Sequence, residues 1–139
     1  MENAMKVSSK PRPTIGPDSR PFWEACAAPR IDLPVCEDCG KAHLPAGPVC
    51  PFCLSRKLKW CTASGKGKVA TWTIVRRGLH PAFRDEVPYN VVQVELDEGP
   101  RLTANVVGLD GAQPVIGMRV EAVFDDIDDT LTMPRFKPV

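Results

Sequence analysis

Cys36-Glu37-Asp38-Cys39-Gly40, followed by Cys50-Pro51-Phe52-Cys53, is the stretch of sequence that decides how this chain is organised. Ten residues separate Cys39 from Cys50, so the two C-x2-C pairs are close enough to place four thiolates around one tetrahedral ion. Zn²⁺ is the usual ion at such a site because it has no geometric preference beyond that tetrahedron. The sequence therefore predicts a structural zinc ribbon with the metal ligands Cys36, Cys39, Cys50 and Cys53.

The same four cysteines limit what the metal does. Four protein ligands leave no open position for water or substrate, which argues against a catalytic zinc. Two disulfides or four free thiols are the alternative, disfavoured because paired C-x2-C motifs are the strong form of this signal. Iron accepts the same thiolates, so electron transfer stays open as a rival function. His43 lies between the pairs and is expected to be a surface imidazole rather than a ligand.

The composition is that of a globular protein rich in loops and extended segments. Of 139 residues, 43% are hydrophobic and 25% charged, and 15 are proline, which disfavours long helices. No apolar run reaches about 18 residues and the N-terminus lacks the apolar centre of a signal peptide, so we expect a soluble, cytoplasmic protein without a membrane partner. Cys26 and Cys61 are expected to be small reduced thiols.

The net charge of +1 hides an uneven distribution of charge along the chain. No Asp or Glu occurs between Cys39 and Arg84, whereas residues 85–139 carry eleven acids and four bases. The nine bases of the acid-free stretch are Lys41, Arg56, Lys57, Lys59, Lys66, Lys68, Arg76, Arg77 and Arg84. A zinc ion with four thiolates has a formal charge of about minus two, which accounts for two or three of them. The others indicate a surface for nucleotide phosphates, nucleic acid or an acidic partner.

Four segments are predicted: a flexible tail over 1–18, a helix over 19–30, the zinc ribbon over 31–60 and an OB-fold domain over 61–139. The tail has many prolines and little apolar content, so it is expected to be disordered or draped over the surface. The helix has an apolar face at helical spacing, formed by Phe22, Trp23, Cys26 and Ala27. Fewer than three turns do not stand alone, so this face should bury against the ribbon or against another chain.

After the ribbon, the pattern is that of a small all-β domain. Segments rich in β-branched and aromatic residues alternate with Gly, Pro and Asp turns. The predicted strands are Val69–Val75, Tyr89–Leu96, Leu102–Val107, Met118–Phe124 and Leu131–Phe136. Five short strands favour a small barrel, with an OB-fold as the first choice and a generic five-stranded barrel as the alternative. The predicted fold is mainly β, with a short N-terminal helix and a rubredoxin-like zinc ribbon before the barrel.

Several motifs, in their order along the chain, resemble those of a known family. They are Pro21-Phe22-Trp23-Glu24-Ala25-Cys26, the two cysteine pairs, Ser64-Gly65-Lys66-Gly67-Lys68-Val69, Trp72-Thr73-Ile74-Val75, Pro88-Tyr89, Val94-Glu95-Leu96-Asp97-Glu98-Gly99, Ile116-Gly117-Met118 with Val120, and Pro134-Arg135-Phe136. Over residues 19 to 138 the chain resembles the acyl-CoA-associated OB-fold proteins with a rubredoxin-like zinc ribbon, long catalogued as a domain of unknown function. Leu33-Pro34-Val35 departs from the longer strand that relatives often have before the first cysteine.

This resemblance implies a function in the company of other enzymes. Family members resemble accessory subunits or fused domains beside thiolase-fold enzymes, including lipid-transfer-protein-type thiolases and retro-aldolases of steroid side-chain breakdown. They also accompany hot-dog-fold enoyl-CoA hydratases. The implied role is to bind or channel acyl-CoA and to hold the enzymes together.

The sequence predicts no catalytic residues of its own. Cys61 has no identifiable partner base, and the Asp125–Asp129 run lacks the Gly and terminal Glu of a calcium loop. Nucleic-acid binding is the alternative function, because zinc ribbons and OB-folds often serve it. It is disfavoured because aromatic residues make up only 6% of the chain and the second half is acidic.

Two sets of binding residues are predicted. The candidates for the phosphates of acyl-CoA are Lys57, Lys59, Lys66, Lys68, Arg76 and Arg77. The candidates for a partner interface are Phe22, Trp23, Arg135 and Phe136, since aromatic residues and Arg anchor interfaces.

Overall fold

A computed structural model describes residues 10–139, so the first half of the predicted tail, residues 1–9, lies outside the described residues. In the described part, no helix is long and apolar enough to cross a membrane. The elements are α1 (Arg20–Ala27), β1 (Asp32–Cys36), β2 (Leu58–Thr62), β3 (Lys66–Val75), a 3-10 turn (Pro81–Phe83), β4 (Tyr89–Leu96), β5 (Arg101–Ala104), β6 (Arg119–Asp128) and β7 (Leu131–Pro138).

The helix α1 buries a narrower face than the sequence predicts. Its buried residues are Phe22, Ala25 and Cys26, which follow i, i+3, i+4 spacing, and this leaves Ala27 exposed on the other side. The inclusion of Ala27 in the apolar face is therefore wrong. Burial raises the pKa of the Cys26 thiol to about 12, so this cysteine is kept as an unreactive packing residue.

The ribbon contains a two-stranded antiparallel sheet. β1 pairs with β2 so that Leu33 lies opposite Cys61 and Pro34 opposite Trp60. Both strands of such a sheet are edge strands, which is where a proline without an N–H is tolerated. β1 leads directly into the first cysteine pair, and β2 leads out of the second toward the barrel.

The five predicted strands form a sheet in the order β5-β4-β3-β6-β7. It closes through a parallel bridge between Val106 and Phe136, supported by an N–H···O bond of 2.7 Å from Val107 to Phe136. This closure gives the OB-fold and confirms the predicted fold class. β5 is shorter than predicted because residues 105–107 leave β4 and pair with β7 instead.

One hydrophobic core joins the helix, the ribbon and the barrel. Phe136 at its centre is fully buried, and the barrel contributes Val69, Val92, Val94, Leu96 and Val120. Phe22 and Cys26 of α1 and Ile31 and Leu33 of the ribbon complete the cluster. The helix and ribbon therefore share their core with the barrel, so disturbance in one unit should reach the other.

Candidate functional site

The four predicted metal ligands converge at the end of the ribbon. All four Sγ atoms lie within 4.8 Å of one another. Across the two pairs, the Sγ atoms of Cys36 and Cys53 are 3.5 Å apart and those of Cys39 and Cys50 are 3.6 Å apart. A tetrahedral zinc ion with bonds of about 2.3 Å needs sulfur atoms about 3.8 Å apart. The donor set and its spacing fit Zn²⁺ in a closed, four-cysteine site.

The backbone of each cysteine pair is shaped for this site. In each turn a backbone N–H donates to a cysteine sulfur at 3.4 Å. The Cys39 N–H donates to Cys36 Sγ, and the Phe52 N–H donates to Cys50 Sγ. Several hydrogen bonds, of which that from the Cys39 N–H is the largest contribution, lower the pKa of the Cys36 thiol to about 6, which favours the thiolate that binds metal. Gly40 ends the first turn at φ +77°, whereas Leu54 ends the second at φ 65°. A leucine in this left-handed conformation is strained, and the sequence gives no sign of it.

His43 is not the surface imidazole that the sequence predicts. Its residue exposure is only 5%, and neither ring nitrogen has a hydrogen-bond partner among residues 10–139. Ala42, the residue before it, forms an antiparallel β-bridge with Val35 of β1. The His43 N–H donates to the Pro34 carbonyl at 3.1 Å. These bonds fold the segment back onto β1 and bury the side chain. Burial lowers the pKa of His43, so the imidazole is kept neutral.

The six phosphate candidates do not lie together. Lys57 and Lys59 belong to the ribbon, Lys66 and Lys68 to the start of β3, and Arg76 and Arg77 follow its end. At about 3.3 Å per residue, the ten-residue strand separates its two ends by roughly 30 Å. Lys68 lies 3.8 Å from Glu95 on the neighbouring strand β4, so its charge is partly offset. One phosphate group therefore cannot contact all six cations at once.

The interface candidates also divide. Phe136 is fully buried and Phe22 is 7% exposed, so both fill the core of this chain and are not free to contact a partner. Their assignment to an interface is corrected, because the barrel closes on Phe136 and α1 covers it. Trp23 is half-buried and packs edge-on against Phe22 at 5.2 Å between ring centroids. Arg135 is half-buried and donates from Nε to Asp125 at 2.9 Å.

A groove lies at one side of the barrel. The sequence does not predict it, because its lining residues come from distant segments of the chain. It has a volume of ≈ 790 Å³ and lies between the β3–β4 loop, the β6–β7 hairpin and residues 10–13. In OB-folds these two loops border the usual ligand-binding face. Its apolar walls are formed by Phe83, Tyr89, Val107, Ile127, Leu131 and Met133. The volume is in the range of small-molecule sites.

A smaller cavity of ≈ 330 Å³ adjoins this groove. The two share Pro88, Tyr89, Asn90 and Val106 as lining residues. Arg76, one of the phosphate candidates, lines the smaller cavity. The structure thus places one predicted cation beside an apolar groove, a combination that suits an amphipathic ligand.

Polar side chains fix the boundary between the two cavities. The Asn90 side chain bonds to the backbone of Val106, and the Asn105 Nδ2 donates to the Asn90 carbonyl at 2.6 Å. Arg135 then donates to Asn105 Oδ1, also at 2.6 Å. The only sequence signal for this network is the presence of two asparagines, Asn90 and Asn105, in predicted strands, where Asn is uncommon.

Comparisons with known proteins extend this description. Two family profiles match, the rubredoxin-like zinc ribbon domain of ChsH2 over residues 23–59 and the C-terminal OB-fold domain of ChsH2 over residues 60–125. A probable enoyl-CoA hydratase alpha subunit from Thermomonospora curvata is 38% identical over 129 residues, which are 93% of this chain and 40% of that protein. A DUF35 domain-containing scaffold protein from Methanocaldococcus jannaschii is 36% identical over 111 residues, which are 75% of this chain and 78% of that protein.

A solved structure also resembles this chain over most of its length. A chain of the Ltp2-ChsH2(DUF35) aldolase matches with a TM-score of 0.81 and 38% identity, covering 91% of this chain and 98% of that chain. The present chain thus spans about 40% of the length of the hydratase relative but most of the scaffold relative. Its zinc-ribbon cysteines, its OB-fold barrel and these matches together make the chain a member of the DUF35 family, with the zinc ribbon and OB-fold of ChsH2.

Proposed function

We propose that this chain is a non-catalytic accessory subunit that binds a thiolase-fold acyl-CoA enzyme and holds acyl-CoA close to it. The observation that carries this proposal is the likeness to a chain of the Ltp2-ChsH2(DUF35) aldolase over 91% of the present chain. The archaeal relative is named a scaffold protein and the Thermomonospora relative an enzyme subunit. Both names support a role in an assembly. A hot-dog-fold enoyl-CoA hydratase is the second partner we propose.

The metal has a structural part in this function. We propose that Cys36, Cys39, Cys50 and Cys53 hold one zinc ion, which fixes the two turns that lie between β1 and β2. A closed four-cysteine site leaves no position for a substrate. A zinc-loaded protein is colourless, whereas iron in the same site would make the oxidised protein red.

Coenzyme A is the anion that we assign to the basic residues. The end of β3 near Arg76 and Arg77 suits its phosphates best, because Arg76 lines the smaller cavity beside the apolar groove. Neither arginine forms a salt bridge within residues 10–139. Lys57, Lys59, Lys66 and Lys68 remain candidates for a surface completed by the partner. Arg and Lys would act here as hydrogen-bond donors and charges rather than as catalysts. The acyl group is that of a lipid or of a steroid side chain, as the family resemblance implies.

Co-expression with a thiolase-fold enzyme, followed by size-exclusion chromatography, tests the assembly. We expect the two proteins to elute together and the enzyme to gain stability or activity. Replacing Trp23 with Ala should weaken the complex, whereas replacing its exposed neighbour Glu24 with Ala should not. Separate elution, together with full activity of the enzyme alone, would overturn the proposal in favour of an independent binding module.

Titration with acyl-CoA and with a single-stranded oligonucleotide tests the ligand. Binding of acyl-CoA, by the chain or by its complex, supports the proposal. Tight binding of the oligonucleotide without any response to acyl-CoA would favour the nucleic-acid alternative. Since the phosphate contacts of nucleic acid are strongly weakened by salt, both titrations should be repeated at two salt concentrations.

A further inference from the structure

The groove beside the barrel has an unusual outer wall, formed by the N-terminal strap (residues 10–13). Lys10 forms an ion pair with Glu86 and lies over the Phe83 ring, 5.5 Å from its centroid. Arg12 donates to Asp128 at 2.7 and 3.3 Å and to the Thr130 hydroxyl at 2.8 Å. The strap is thus attached to both loops that border the groove: Lys10 contacts the β3–β4 loop, and Arg12 contacts the β6–β7 hairpin.

The strap does not close the groove by β-pairing. Pro11 and Pro13 have no N–H to donate to a strand, and proline favours an extended backbone. The strap therefore spans the groove through its two cations and leaves the volume of ≈ 790 Å³ beneath it. It behaves as a wall of the cavity rather than as an additional strand of the barrel.

The chemistry of the groove selects an extended apolar ligand. Val107 and Ile127 line it and are 39% and 43% exposed, while Phe83, Tyr89 and Met133 add half-buried apolar surface. The cations at its edge are already matched, since Lys10, Arg12 and Arg135 each pair with a carboxylate. The groove thus offers apolar contacts without a free charge, whereas the adjoining smaller cavity offers Arg76.

We propose that this groove binds the aliphatic chain of an acyl-CoA, with the N-terminal strap as its outer wall and the anionic part of the ligand directed toward Arg76. The proposal rests on the proposed function for the identity of the ligand and adds the site and the strap. In this proposal, the strap retains the bound ligand by covering the outer side of the groove.

Binding of decanoyl-CoA, coenzyme A and decanoate to the zinc-loaded chain, measured by isothermal titration calorimetry, tests the proposal. We expect decanoyl-CoA to bind at least about tenfold more tightly than coenzyme A, the effect of burying roughly two methylene groups or more. Val107→Trp fills the groove and should weaken decanoyl-CoA binding by about tenfold or more. Val115→Trp is the matched control, because Val115 is 60% exposed and lies outside the groove.

A second position and the strap make the test independent of any single variant. Ile127→Trp fills the same groove from β6 and should act like Val107→Trp. The double variant Lys10→Ala with Arg12→Ala releases the strap and should weaken decanoyl-CoA binding several-fold. Circular dichroism and zinc content confirm that each variant is folded.

Each other outcome overturns a defined part of the proposal. Unchanged affinity in both tryptophan variants would remove the groove as the acyl site, and unchanged affinity after release of the strap would remove its role as a wall. Decanoate binding as tightly as decanoyl-CoA would assign the groove to free fatty acids. If the chain binds none of the three ligands but still elutes with its enzyme partner, the groove proposal fails while the partner-binding part of the proposed function stands.

Discussion

Asn90 completes the backbone pairing of Val106, a residue sixteen positions further along the chain. Its Nδ2 donates to the Val106 carbonyl at 2.8 Å, and its Oδ1 accepts the Val106 N–H at 2.7 Å. The amide side chain thus takes the place of a neighbouring strand at the point where residues 105–107 leave β4 for β7. This pair lies between the groove and the smaller cavity, so it fixes the boundary of both.

Replacing Asn90 with Ala should destabilise the barrel by about 3 kcal/mol, because it leaves a buried N–H and a buried carbonyl without partners. Val106 is only 3% exposed, so water cannot easily satisfy these groups. Urea unfolding followed by circular dichroism measures the effect. Gln93→Ala is the matched control on the same strand, since the Gln93 side chain makes no hydrogen bond with residues 10–139. Equal losses in the two variants would contradict this account of Asn90.

Gly67 is required by the close approach of β3 to β4. A Cβ atom at this position would clash with the Glu95 carbonyl oxygen and lie 2.8 Å from Val94 Cγ1. Gly67→Ala should therefore cost about 3 kcal/mol or prevent folding, because backbone atoms must move to accept the methyl group. Gly47→Ala is the control, since nothing lies within 4 Å of a Cβ there. A melting temperature equal to that of the control would show that β3 and β4 separate more easily than the structure indicates.

His43 should make the stability of the chain depend on pH. Burial lowers its pKa in the folded state, so below about pH 6.5 the unfolded chain binds a proton that the folded chain does not accept. Stability contributed by the neutral imidazole is therefore fully present above that pH and declines as the pH falls toward the folded-state pKa. Unfolding midpoints measured across this interval should fall less steeply in His43→Leu than in the wild type.

Zinc content must be followed in the same experiment, because the thiolate ligands also take up protons in acid. Midpoints that fall in parallel for the two proteins, while both retain zinc, would show that His43 does not cause the dependence. Near neutral pH, His43→Leu should be at least as stable as the wild type, since it removes two buried nitrogen atoms that have no partner in the described chain.

Loss of one metal ligand should release zinc and unfold the ribbon. Cys50 is fully buried and contributes one of the four sulfurs, so Cys50→Ser should lower the zinc content and the melting temperature together. Cys39→Ser should do the same. Cys61→Ser is the matched control because Cys61 lies in β2, outside the sulfur cluster. A Cys50 variant that retains both its metal and its stability would exclude the structural role of the site.

The sequence by itself determined the features that depend on short spacings. The distance between paired cysteines predicts the metal site, and β-branched residues between turn residues predict all five barrel strands, because both depend on neighbours in the chain. The predicted strand Leu102–Val107 extends beyond the observed end of β5 at Ala104. Residues 105–107 pair with β7, and the local sequence pattern contains no information on such a long-range contact.

Only the tertiary structure decided which side chains are free to bind. The sequence predicts Phe136 as an interface residue because it is aromatic and adjoins Arg135. In the structure it is fully buried, because the barrel closes around it. The six phosphate candidates are separated because two of them lie in the ribbon and β3 extends between the other two pairs. The groove depends on contacts such as that of Arg12 with Asp128, 116 residues apart. Such contacts are fixed by packing of the whole chain, and for this reason local sequence patterns do not predict them.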